Sequence, residues 1–168
     1  MAKPKDKTEK LRAPGPTRAE AQCACGDVVI EIAVPAQWAW HDHSAATRRA
    51  HGAAYATFVG TWRSRMRFVR GEDALSIFEE PATGAVRSFC TRCGTALWLF
   101  SPEWPDLVHP FASAIDSELP APPSSVHMML RYKPSWVQAD IGEGDAVFDL
   151  YPGQSIEDWH RSRGLWIA

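Results

Sequence analysis

No stretch of this 168-residue chain approaches the run of about 18 apolar residues that a membrane-crossing helix needs. Charge of one sign is also missing. The formal net charge is -2, so no strong field recruits nucleic acid or an anionic lipid surface. Neither a nucleic acid nor a membrane is therefore expected as a partner. The opening residues Met1 to Lys7 are polar and no apolar segment follows them, so no secretory signal is expected. A cytoplasmic address follows, where thiols stay reduced. Cysteine itself is scarce: there are four and no fifth. In a reducing compartment, four cysteines point to a metal or to chemistry before disulfides.

What is present suits one domain. The chain is 45% apolar, enough for an ordinary core, and its length fits a single domain with tails. Residues 1–21 read as a flexible basic tail, with Lys3, Lys5, Lys7, Lys10, Arg12 and Arg18 among prolines. Residues 22–140 read as the domain and 141–168 as a C-terminal extension. Val28, Ile30, Ile32 and Val34 alternate, which is the period of a half-buried strand. Further short strands are expected over residues 38–41, 53–59, 68–69, 75–78, 96–100, 107–115, 126–130 and 135–137. Pro81 to Gly84 is turn chemistry, making residues 75–89 a hairpin. Ala45 to Ala50 reads as a short helical turn stopped near Gly52, and Ile156 to Arg163 as a helix with Ser155 as its N-cap. Short strands with frequent turns argue for a mostly β fold. The eight tryptophans serve chiefly as core and rim packing.

The cysteines fall into two close pairs, Cys23-Ala24-Cys25-Gly26 and Cys90-Thr91-Arg92-Cys93-Gly94. Each pair is followed by glycine, which permits the tight backbone a metal knuckle requires. Four thiolates form a closed tetrahedral shell for one structural zinc ion, with no position open to substrate. Buried free cysteines or a redox pair are the alternatives. Two glycine-terminated pairs with no spare sulfur fit zinc better.

With these residues in view, the chain resembles the glutathione-dependent formaldehyde-activating enzyme family, which includes the centromere protein V group. The matching pieces run in order: Cys23 to Gly26 before the strand at Val28; His41, His43, Arg48, Arg49 and Gly52 to Tyr55; Ser88 to Thr95; Ala114 to Asp116; and His127 with Lys133 to Val137. The resemblance implies a β-tent, in which short antiparallel strands surround the structural four-cysteine zinc site of Cys23, Cys25, Cys90 and Cys93. It also implies carbon–sulfur lyase chemistry on glutathione and formaldehyde, with a second, catalytic zinc held by a segment patterned His-Cys-His-Cys-x-x-Cys-Arg.

In this chain that segment is His41-Asp42-His43-Ser44-Ala45-Ala46-Thr47-Arg48. All three cysteine positions are changed, to Asp42, Ser44 and Thr47. A hydroxyl is a poor zinc ligand beside a thiolate, so the family's second site does not form in its usual way. Either His41 and His43 are hydrogen-bonded structural residues in an inert remnant, with no second metal, or Asp42 with one of them offers a harder metal site. Side chains alternate along a strand, however, so His41 and His43 share one face and Asp42 the other. His43, Asp42, Ser44 and Thr47 are the candidate catalytic groups for a divergent enzyme acting on a small molecule or thiol adduct. Arg48 and Arg49 are candidates for binding an anionic group of that substrate. His51, His109 and His127 are further candidates for the same cleft. The competing reading is a non-catalytic, zinc-stabilised binding or scaffold module.

Overall fold

The computed structural model describes residues 18–33, 39–119 and 124–163. Within them lie twelve strands: β1 (Ala19–Gln22), β2 (Val29–Ile32), β3 (Ala39–Asp42), β4 (Ala56–Val59), β5 (Thr61–Trp62), β6 (Met66–Arg70), β7 (Leu75–Glu79), β8 (Val86–Cys90), β9 (Ala96–Phe100), β10 (Leu107–Pro110), β11 (Val126–Met128) and β12 (Ala146–Val147). Two helices accompany them, α1 (Ala45–His51) and α2 (Ile156–Arg161). The mostly β, short-strand expectation holds. Among the described residues no helix is long and apolar enough to cross a membrane.

The strands form three sheets, ordered β1-β2-β6, β5-β10-β9-β8-β7 and β12-β11-β3-β4. Most neighbours are antiparallel, but β11 runs parallel to both β3 and β12. One core, containing Ala21, Val28, Ile30, Leu97, Trp98 and Val108, packs the first sheet on the second. A second core gathers Trp40, Phe58, Phe111, Val126 and Trp159 beneath the third sheet. Gly71 marks the closest backbone approach. A Cβ there would stand 2.0 Å from the carbonyl oxygen of Asp27, and its φ of 79° suits glycine.

Several boundaries differ from the sequence reading. Pairing already begins at Ala19, where β1 buries Ala19 and Ala21 against β2. Residues 1–17 of the expected tail lie outside the described residues, as do Val34 and Pro35. The expected strand at residues 135–137 is a turn instead, with Val137 N–H donating to the Pro134 carbonyl. The stretch after residue 140 is not an appendage. β12 adds to the third sheet through β11, and Trp159 of α2 is 2% exposed in the second core. Its apolar residues come in short clusters such as Ala146 to Phe148, with no sustained period, which is why the sequence pattern weakens there. Both helices begin as expected: Ser44 Oγ accepts from Thr47 N at 3.2 Å and Ser155 Oγ from Asp158 N at 3.0 Å.

Candidate functional site: a cysteine cluster and a histidine face

Both cysteine pairs lie in hairpin turns of the same design. Cys23 N–H bonds to Val28 O at 3.0 Å and closes the turn between β1 and β2. Cys90 N–H bonds to Thr95 O at 3.0 Å and closes the turn between β8 and β9. Gly26 and Gly94 both take left-handed backbone, with φ of 76° and 73°. Two links stitch the turns together: Ala24 N–H donates to Thr95 Oγ1 at 3.0 Å, and Arg92 pairs with Asp27 at 3.2 Å. The first and second sheets thus meet where the four sulfurs meet.

All four sulfurs lie within 4.8 Å of one another. Cys23 and Cys25 are 3.4 Å apart, and Cys25 and Cys90 are 3.8 Å apart. A tetrahedral ion with metal–sulfur bonds of about 2.3 Å needs sulfurs about 3.8 Å apart. The donor set fits a metal ion. Cys23 and Cys90 are buried while Cys25 and Cys93 are exposed, so the ion would sit at the surface end of the two hairpins. The Thr95 hydroxyl and backbone N–H pull the Cys93 thiol down to about 6. At Cys25 the Asp27 N–H acts to lower the thiol, but the Cys23 sulfur, burial and neighbouring acceptors prevail and push it up to about 12. Burial opposes ionisation of Cys23, yet the Val28 N–H and the adjoining sulfurs bring it below its ordinary value. Crowded thiols that cannot all ionise alone are the state that a dication relieves.

The middle segment divides between the two faces of β3. Asp42 turns toward α1. Its Oδ1 accepts from Ser44 N at 2.7 Å, and its Oδ2 accepts from Ser44 Oγ at 3.1 Å and Thr47 Oγ1 at 2.5 Å. Arg87 Nη2 stands 3.5 Å from Thr47 Oγ1 and its Nε pairs with Glu80 at 2.9 Å. The three residues at the altered cysteine positions therefore do come together, as a buried hydrogen-bonded knot that also caps α1. Strand alternation puts the Asp42 carboxylate on the face away from His41 and His43, so the alternative of an ion shared with either histidine gains no support.

On that other face, His41 is register-paired with His127 of β11 and with Thr57 of β4. His43 Nε2 lies 3.4 Å from His127 Nδ1. His127 Nε2 lies 3.4 Å from Asp145 Oδ2, and His41 Nδ1 lies 2.9 Å from Thr57 Oγ1. The Tyr55 ring packs on both His41 and His43. Burial, helped by the neighbouring histidines, holds His41 down at about 4 and His43 below its ordinary value. Asp145 is drawn below the usual carboxylate range. Burial opposes this, but N–H groups of Ser125 and Gly142 and the His127 ring outweigh it.

Of the other candidates, His51 packs against Phe111, ring centroids 4.0 Å apart, and His109 lies among Phe58 and Trp104. Neither touches His43. Arg48 Nη1 donates to the carbonyls of His43 and Tyr132, both at 2.6 Å, tying α1 to the chain after β11. Arg49 is exposed. Thr57, Arg87 and Asp145 escape a sequence reading. Each is an ordinary polar residue with no spacing signal, and only strand pairing brings it to the site.

Three sheets, the first two joined by a metal-competent set of four cysteines on paired hairpins, define the class: a small, mostly β protein. A family model described as glutathione-dependent formaldehyde-activating enzyme matches residues 18–130. A Halomonas elongata protein named "Putative glutathione-dependent formaldehyde-activating enzyme" is 41% identical over 152 residues, 87% of this chain and 96% of that one. The crystal structure of a Rhodobacter sphaeroides protein is similar in fold, with TM-score 0.51 and 23% identity over 60% of this chain and 91% of that one. The chain belongs to the glutathione-dependent formaldehyde-activating enzyme family.

Proposed function

We propose that the ion of the cysteine cluster is zinc, and that the chain is a divergent carbon–sulfur lyase-like enzyme of the cytoplasm acting on a small molecule or thiol adduct. It is not a standard S-(hydroxymethyl)glutathione synthase. The observation that carries this reading is the knot of Asp42, Ser44 and Thr47. These side chains occupy the positions of the family's catalytic thiolates and satisfy one another's hydrogen bonds. A carboxylate that already accepts three hydrogen bonds and two hydroxyls are a poor substitute for three thiolates around zinc. The cysteine cluster, with four protein donors, offers no open position and acts structurally.

Breaking such an adduct needs little machinery. The adduct hydroxyl loses a proton, the carbon–sulfur electron pair leaves on sulfur, and sulfur takes up a proton. Burial favours the uncharged imidazole at His41 and His43, and a metal-free histidine face is suited to proton transfer. The relative's printed name and its extent of identity favour formaldehyde-linked chemistry, while the change of thiol rests on the knot alone. The test is exchange NMR with labelled formaldehyde and a panel of thiols. Protein-dependent exchange should be absent with glutathione and present with at least one smaller thiol. Acceleration with glutathione overturns the divergence, and silence across the panel overturns the enzyme.

A further inference from the structure

The histidine face is explained neither by the cysteine cluster nor by the knot. His41 lies on β3 and His43 just beyond its end, where His43 N–H still bonds to Met128 O at 3.1 Å, so alternation directs both imidazoles to the same side. A third imidazole, His127, stands at the register position beside His41 on β11. The opposite side of the sheet buries Trp40, Phe58 and Val126, so the three histidines are not there to fill that core. His43 and His127 are 0% and 2% exposed, while His41 is part-buried.

We propose that His41, His43 and His127 form a second metal site, for a divalent ion of the zinc class, with an open fourth position. Two nitrogens are already placed for it. Metal–nitrogen bonds of about 2.1 Å in a tetrahedron require nitrogens about 3.4 Å apart, and His43 Nε2 to His127 Nδ1 is 3.4 Å. Asp145 Oδ2 stands 3.4 Å behind His127 Nε2, which itself makes no hydrogen bond in the protein; a proton on Nε2 would leave Nδ1 with its lone pair. A carboxylate behind a ligating imidazole is the usual outer support of such sites. Thr57 holds His41 Nδ1 in the present arrangement. His43 Nδ1 is buried with no hydrogen-bond partner in the protein.

The rings of His41 and His127 are 4.7 Å apart, centroid to centroid. Among the described residues only the cysteines already bring three or more donors within 4.8 Å of one another. Ligation by His41 therefore requires its ring to move and to give up its present contact with Thr57 Oγ1. Two cations act on His43, Arg48 and Lys133, and both have carbonyl partners: Arg48 as described, Lys133 Nζ with Val137 O at 2.8 Å. The fourth position would take water, a thiolate or a carbonyl oxygen. Unlike the family's thiolate site, this one lies on the other face of β3, and it uses Asp145, which lies beyond the matched span of residues 18–130.

The experiment counts metal and needs no substrate, so it stands or falls apart from the proposed reaction. Wild-type protein equilibrated with excess zinc and then passed into metal-free buffer should carry two zinc ions per chain. His127→Gln and His43→Gln should each carry one, retained by the cysteines. Asp145→Asn should keep the second ion with roughly 10–100-fold weaker affinity. In a cobalt titration the first equivalent should show thiolate charge transfer, and the second only weaker d–d bands that vanish in His127→Gln. One ion per chain in the wild type at saturating zinc overturns the proposal, whether or not the variants fold. A second ion that persists in the His43→Gln/His127→Gln double variant overturns it equally.

Discussion

Replacing Cys90 by serine removes a ligand at the most enclosed corner of the cysteine cluster. Cys90 ends β8 at 0% exposure, and its sulfur lies 3.8 Å from that of Cys25, 65 positions away in the chain. An ion bridging the two hairpins closes a loop of that length. In the chain-entropy treatment of a cross-link, such a closure restricts the unfolded state by about 4 kcal/mol. That is a large part of the roughly 5–15 kcal/mol that holds an ordinary domain. The variant should lose its metal and melt roughly 10 °C lower, at about 2–4 °C per kcal/mol for a domain of this size. The assay pairs elemental analysis of protein purified without added metal with thermal unfolding by circular dichroism. Each protein is measured with and without a chelator. The chelator should lower the wild-type midpoint by a similar amount and leave Cys90→Ser unmoved. A metal-free Cys90→Ser protein that unfolds cooperatively at the wild-type temperature would refute the cross-link argument.

Two further outcomes follow from buried polar groups. Thr47→Val keeps the side-chain shape but removes the hydroxyl that Asp42 Oδ2 accepts from, so urea unfolding should show a loss of about 1–2 kcal/mol. No change in the urea midpoint would mean that the knot contributes nothing to the fold. Burial holds the His109 imidazole down at about 4, against an ordinary value of 6.5. Between those values the unfolded chain binds a proton that the folded chain does not. Stability is therefore full above pH 6.5 and declines as pH falls toward 4, by roughly 3 kcal/mol from this residue. His109→Leu should flatten the pH dependence of the urea midpoint over that range, and an unchanged slope would count against the assignment.

The cysteine cluster was legible because its information is local. Two pairs, each with a following glycine, specify turns, and turns carry their own chemistry in residues a few positions apart. The alternation at residues 28–32, the Ser155 cap and the hairpin over residues 75–89 are local in the same sense. So was the separation of Asp42 from His41 and His43, which needs only the period of a strand. Family membership followed from these pieces in order, and the matched span confirms it.

Only the tertiary structure decided which partners each side chain meets. Asp145 reaches His127 because β12 pairs in parallel with β11, and parallel neighbours have no short turn between them to announce the pairing. Arg87 reaches Thr47 from a strand of another sheet. His127, His51 and His109 read alike in the sequence. Strand pairing sent His127 to the face of His41 and His43 and His109 among aromatic rings, while α1 set His51 against Phe111. Burial and long-range register set these outcomes, and neither is written in the spacing of nearby residues.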